Sequence, residues 1–187
     1  MSADSTWATK GSGSIRRVAA AAEVTMASSL QRRIDALRRA TPSELERLYA
    51  APSTLAIPSG QYAGCFLQRT PGWDRAGLLV RSAVALGFSA LPFGVDFDRR
   101  VWRLAGGAVT AGRFELRAGP SRWRQTRTLA MDYEVSRLPT FVRALLYDEV
   151  KPIDDDLLLG LGCIAQSDLF FFALGAEPAR SRTAGGA

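Results

Sequence analysis

The chain contains no histidine. That absence removes the Ser-His-Asp triad, the Cys-His pair and the imidazole general base. Histidine-ligated haem goes with them. The two cysteines, Cys65 and Cys163, cannot complete an ordinary structural zinc site on their own. Any catalysis must therefore run on Asp, Glu, Tyr, Arg, Cys or Lys, and no cofactor or metal site is expected. Each cysteine sits in an apolar run. Both read as small buried hydrophobes in a reducing compartment, so a cytoplasmic location is expected.

Lysine is nearly as scarce. Only Lys10 and Lys151 occur, and arginine carries the rest of a formal net charge of +6 and a pI near 10.0. An arginine- and alanine-rich composition is also what a GC-rich genome produces, so the pI alone is poor evidence for a nucleic-acid partner. The charge is uneven. Residues 69–127 are basic, and residues 128–187 are acidic. That split fits two sheet faces of opposite charge, or an anion-binding surface in the middle segment. Long apolar runs are also missing. The nearest, Ala76 to Leu91, is short and carries Arg81, so no membrane span is expected.

Two motifs resemble sites only at first sight. Asp154-Asp155-Asp156 lacks the glycine-and-glutamate frame of a calcium loop and reads as a solvated turn. Gly11-Ser12-Gly13-Ser14 lacks the ending of a phosphate loop and reads as a linker.

The material for a core is present: 47% of the residues are hydrophobic, with nine Phe and four Trp among them. A length of 187 residues suits one domain. Composition assigns residues 1–25 to an unstructured leader, 26–175 to the domain and 176–187 to a polar tail. Two short helices are expected over residues 28–50. The first opens at Ser28 or Ser29, and the second at Thr41-Pro42-Ser43-Glu44, a capping box with proline at the first helical position. Strands are expected at Gln61–Arg69, Val101–Leu104, Ala108–Arg117, Arg122–Val135, Leu157–Ala165 and Asp168–Leu174. A helical turn followed by a strand fits Phe141–Lys151. Ala76–Leu91 suits a helix better than strands, because Ala, Leu and Gly outnumber β-branched residues. Short strands with regular turns predict a mainly β fold, an antiparallel sheet closed into a barrel behind N-terminal helices.

The clearest alternation runs from Arg122 to Val135. It predicts that Trp123, Arg127, Leu129, Met131 and Tyr133 share an inward face that borders a ligand site, with Asp132 pointing out. Arg127 would then meet an anionic group of the ligand or snorkel to the rim. Asp148 and Glu149 are neighbours on one strand, so only one of them can face inward. An inward carboxylate in an apolar barrel would have a raised pKa and could act as an acid beside Tyr133. The bland alternative is a buried pair, such as Arg143 with Asp148, that only fixes the barrel's geometry. Arg113, Arg117, Arg122 and Arg124 alternate with apolar residues as a solvated strand face does, which argues against a nucleic-acid partner.

The order Asp132-Tyr133, Arg143, Asp148-Glu149, Gly160 and Gly162, then a Phe-rich strand, resembles a group of small bacterial proteins that look like lipocalin or calycin barrels. The likeness covers roughly Pro52 to Leu174. That group's pattern has a G-K-x-F element upstream of D-Y. Here the matching stretch is Gly94-Val95-Asp96-Phe97, without the lysine. The resemblance implies a barrel that holds a small apolar ligand, and it carries over no catalytic residue.

Two functions follow as expectations. One is binding of a small apolar or amphipathic ligand, anionic through Arg127 or Arg143, inside the barrel. The other is metal-independent acid–base chemistry of the cyclase, isomerase or lyase kind, as secondary metabolism uses, on Tyr133 with Asp148 or Glu149. A scaffold role is a third. The sequence sets no oligomeric state.

Overall fold

A computed structural model describes residues 12–78, 80–82, 92–164 and 167–178. Two helices come first, α1 (Ser12–Arg39) and α2 (Pro42–Ala50). The predicted capping box is complete. The Thr41 hydroxyl accepts from the Glu44 backbone N–H at 3.3 Å, and the Glu44 carboxylate accepts from the Thr41 N–H at 2.7 Å. The first helix begins at Ser12 rather than at Ser28 or Ser29, so residues 12–25 continue α1.

Nine strands follow: β1 (Gln61–Arg69), β2 (Phe93–Asp96), β3 (Val101–Leu104), β4 (Val109–Ala111), β5 (Glu115–Pro120), β6 (Arg127–Asp132), β7 (Leu146–Asp154), β8 (Leu157–Ile164) and β9 (Ser167–Ala176). A short helix, α3 (Thr140–Leu145), separates β6 from β7. The sheet order is β4-β3-β2-β1-β9-β8-β7-β6-β5, with every neighbouring pair antiparallel. The architecture is the expected one, mainly β with N-terminal helices, and the sheet curls into a half-barrel. The edge strands β4 and β5 are consecutive in sequence but share no ladder. Contacts across the gap come from the Phe114 N–H, which donates to the Arg100 carbonyl at 2.9 Å, and from the Phe97, Phe114 and Tyr133 rings in series.

Period-two alternation gives the sheet two apolar faces. The concave face holds an aromatic-rich core that includes Phe93, Phe97, Phe114, Met131, Tyr133, Phe170 and Phe172. The convex face of the central strands carries Leu159, Leu161, Phe171 and Ala173, and Leu37, Leu45 and Tyr49 of the helices cover it. Burial on both faces explains why β8 and β9 read as continuous apolar runs. Arg33 ties α1 to the β7–β8 turn through Asp154 and through Asp156 at 2.6 Å. No helix among the described residues is long and apolar enough to cross a membrane.

Two predicted strands are shorter than expected. Ala108–Arg117 is interrupted after β4, where Gly112 takes φ +59°, a conformation that favours glycine. Residues 118–120, which lie between two of the expected strands, belong to β5. The turn falls instead on residues 121–126, where the Ser121 hydroxyl accepts the backbone N–H groups of Trp123 and Arg124 at 3.1 and 3.0 Å. A serine that offers the backbone such partners competes with a strand ladder. Of the expected helix at Ala76–Leu91, residues 80–82 are helical, and the Arg81 N–H donates to the Gly77 carbonyl at 3.1 Å. Residues 79 and 83–91 of that helix and residues 179–187 of the expected tail lie outside the described residues.

Candidate site on the concave face

Curling the sheet sets β3 opposite β6 and β7 across the concavity. The Trp102 indole N–H of β3 donates to the Tyr133 hydroxyl at 2.6 Å. Tyr133, just past the end of β6, donates in turn to the Asp148 carboxylate on β7. Tyr133 is only 2% exposed. Its burial, and then the neighbouring Asp148 charge, raise its pKa well above the ordinary tyrosine value, so the phenol stays a proton donor.

Asp148 is the unusual member. It lies among apolar side chains, and burial pushes its carboxyl up to about 6. Donation from Tyr133 and from the Cys163 backbone N–H pulls the other way without cancelling the effect. No arginine or lysine among the described residues pairs with it. A carboxylate held this way keeps acceptor capacity beyond its bond to Tyr133.

Strand register then shapes the surroundings. Asp148 stands opposite Met131 on β6 and opposite Gly162 on β8. Gly162 has no side chain, and the Phe170 ring from β9 occupies the space. A Cβ there would lie 2.3 Å from the Phe170 Cζ. The same device recurs two residues away, where the Phe172 ring covers Gly160. Phe172 meets Trp102 at 5.8 Å between ring centroids, and Phe170 meets Phe66 at 5.6 Å. Asp148, Trp102, Phe66, Leu104, Leu116, Leu146 and Ile164 line this trough and are only partly buried. The arrangement is one hydrogen-bonded polar chain, Trp102–Tyr133–Asp148, set among aromatic and aliphatic side chains.

The structure brings together Leu129, Met131, Tyr133 and Asp148 of the residues expected at the site, and separates the others. Leu129 and Met131 are fully buried in the concave core. Glu149, next to Asp148, points to the convex side as strand alternation requires. There it accepts from the Tyr49 hydroxyl at 2.9 Å, the Ser121 hydroxyl at 2.5 Å and the Arg122 backbone N–H at 2.8 Å. It holds α2 and the β5–β6 turn to the sheet. Lys151, also convex and buried, donates to the Tyr49 carbonyl at 2.7 Å and to the Thr126 hydroxyl at 2.6 Å.

Trp123 lies in the turn before β6, and its side chain packs against the convex core. Arg127 opens β6 and is exposed. Arg143, on α3, donates to the Glu134 carbonyl at 2.6 Å and to Thr140 at 3.1 Å rather than to Asp148. With Arg122, Asp132 and Tyr147 it lines a separate surface cleft of about 500 Å³. A second cleft, about 670 Å³, lies between residues 52–59 and the β7–β8 turn and reaches Tyr62 and Leu158 of the concave core, away from Asp148.

Trp102, Phe170 and Phe172 are site residues that sequence reasoning missed. A usable signal existed for two of them. Gly160-x-Gly162 on one strand and Phe170-x-Phe172 on the next share a period of two, the pattern of large rings laid over glycines. No comparable signal marks Trp102, whose partner is 31 residues away on the far side of the curl. Among the described residues no three Cys, Asp or Glu side chains converge as metal ligands.

No protein-family model and no curated protein matches the chain. A crystal structure of a protein from Thermomonospora curvata is similar to it, with a TM-score of 0.47 at 20% sequence identity, over 81% of this chain and 97% of that one.

Proposed function

We propose that the chain binds a small apolar or amphipathic molecule in the concave trough, in the manner of a lipocalin-like barrel, with Asp148 as its polar anchor. The observation that carries this reading is the partly buried Asp148 carboxylate, paired with no cation among the described residues and ringed by Trp102, Phe170 and Phe172. A carboxylate costs several kcal/mol to bury without compensation. Keeping one at the floor of an apolar trough is reasonable where a ligand group meets it. The anionic ligand suggested by Arg127 or Arg143 loses its support, because both arginines lie outside the trough.

The test is a fluorescence titration with N-phenyl-1-naphthylamine, an apolar probe that brightens when it leaves water. One probe should bind per chain, and Ile164→Trp or Leu146→Trp, each filling the trough, should abolish the signal. Unchanged binding by both variants would place the site elsewhere.

A second reading has a specific observation behind it. Asp148, with its carboxyl near 6 and Tyr133 beside it, is poised for proton transfer at neutral pH. In that role Asp148 would take a proton from a bound substrate and return it at another atom, and the Tyr133 hydroxyl would stabilise the charged carboxylate. Glu149 has no part in it, since it serves the convex face. A turnover that follows a single ionisation near pH 6 and disappears in Asp148→Asn would favour this reading over simple binding.

A further inference from the structure

Among the described residues the polar anchor of the trough is Asp148, and its chemistry restricts what can sit there. Three observations converge. First, the anchor is an acceptor: Asp148 receives the Tyr133 proton and carries no cation from the described residues. Second, every polar group in the chain behind it points its proton toward the carboxylate, with Trp102 donating to Tyr133 and Tyr133 to Asp148. The chain thus stabilises negative charge at Asp148 and offers no free donor to an incoming acceptor. Third, the walls next to the carboxylate are aromatic. Phe170 covers the position directly opposite Asp148, and Phe172 lies beside both Phe170, at 6.1 Å, and Trp102, at 5.8 Å. Aromatic faces attract cations, most strongly where water is excluded, and a carboxylate adds a charge-assisted hydrogen bond.

From this geometry we infer that the ligand of the trough is an organic amine, its protonated nitrogen on Asp148 and its apolar body against Phe170, Phe172 and Trp102. The inference rests on the binding reading above and narrows it to a chemical class. A carboxylate or phosphate ligand would meet repulsion from Asp148 with no compensating cation among the described residues. A neutral alcohol could donate one hydrogen bond but would gain nothing from the ring faces. The amine gains from both.

The test compares three probes of one shape, 1-naphthylmethylamine, 1-naphthylmethanol and 1-naphthoic acid, by isothermal titration calorimetry on the full chain at pH 7.5. The amine should bind about tenfold more tightly than the alcohol, and the acid more weakly than either. In Asp148→Asn the amine's advantage should shrink to about threefold or less, while alcohol binding stays. Tyr133→Phe, which keeps the carboxylate, should still prefer the amine. If the alcohol or the acid matches the amine on the wild-type chain, the amine inference fails while the binding reading stands. If the preference survives in Asp148→Asn, Asp148 is not its source, and the inference fails again. If none of the three binds, both readings fall together. The wild-type comparison decides the matter even if a variant does not fold.

Discussion

Tyr133 and Asp148, 15 residues apart in sequence, are joined by a hydrogen bond in which the phenol is the donor. The same phenol accepts from Trp102 at 2.6 Å, so its hydroxyl is already engaged on both sides. Removing it strands a partly buried indole N–H and takes one donor from a partly buried carboxylate. Tyr133→Phe should therefore cost about 1–3 kcal/mol of stability. A hydroxyl that served only a ligand would leave stability unchanged. Urea denaturation of the two proteins distinguishes these outcomes, and an identical midpoint would mean that the bond contributes nothing.

Asp148 gives stability a pH dependence of definite sign. Its carboxyl is raised from 3.8 to about 6 by burial, so the folded chain holds a proton that the unfolded chain has released between those values. This group's contribution to stability is largest below about pH 4 and is lost as pH rises through 6. At pH 7.5 the wild-type chain bears a penalty on the order of 3 kcal/mol that asparagine does not. Asp148→Asn should therefore melt higher than wild type at pH 7.5, with the gap closing toward pH 4. A variant that melts lower at pH 7.5 would show that the carboxylate is better compensated than its surroundings indicate.

Gly162 makes room for an aromatic wall of the trough. In Gly162→Ala the new methyl would lie 2.3 Å from the Phe170 ring, so the ring must move. Overpacking of this kind costs about 1–3 kcal/mol. The displaced ring should also weaken binding of an apolar probe. Thermal melts together with the naphthylamine titration measure both effects, and a variant with wild-type values in each would remove Phe170 from the account.

The face assignment of β6 was legible in the sequence from Leu129 to Tyr133, because a shift of one residue would bury Asp132 and expose Met131. The same alternation continues back to Arg122 and misleads there. Ser121 turns the chain with its own hydroxyl, which places Trp123 against the other face. Alternation also showed that Asp148 and Glu149 must face opposite ways. Which of them is concave depends on partners distant in sequence, Tyr133 for one and Tyr49 for the other. The capping box at Thr41 was fully legible because its chemistry is local. Trp102 was not, because a strand of four residues gives too little pattern to assign a face.

The N-terminal part of α1 is expected to be dispensable. Val24 is 70% exposed and Met26 is 63% exposed, whereas Leu30, Ile34 and Leu37 supply the packing on the sheet. A chain starting at Met26 should melt within about 2 °C of the full chain, since surface positions contribute little. A large drop would mean that residues before Met26 pack on the domain.

The concave trough, with Asp148 at its floor, is the proposed binding place of a small apolar molecule. Trp102 reports on it directly, because its indole N–H is the first link of the chain that ends at Asp148. Indole ¹H–¹⁵N spectra of the full chain, recorded while N-phenyl-1-naphthylamine is added, test the claim. The Trp102 resonance, assigned by Trp102→Phe, should shift saturably, with Trp123 on the convex side unmoved. A saturable shift at Trp123 with none at Trp102, or no shift at Trp102 while the probe is demonstrably bound, would contradict that claim.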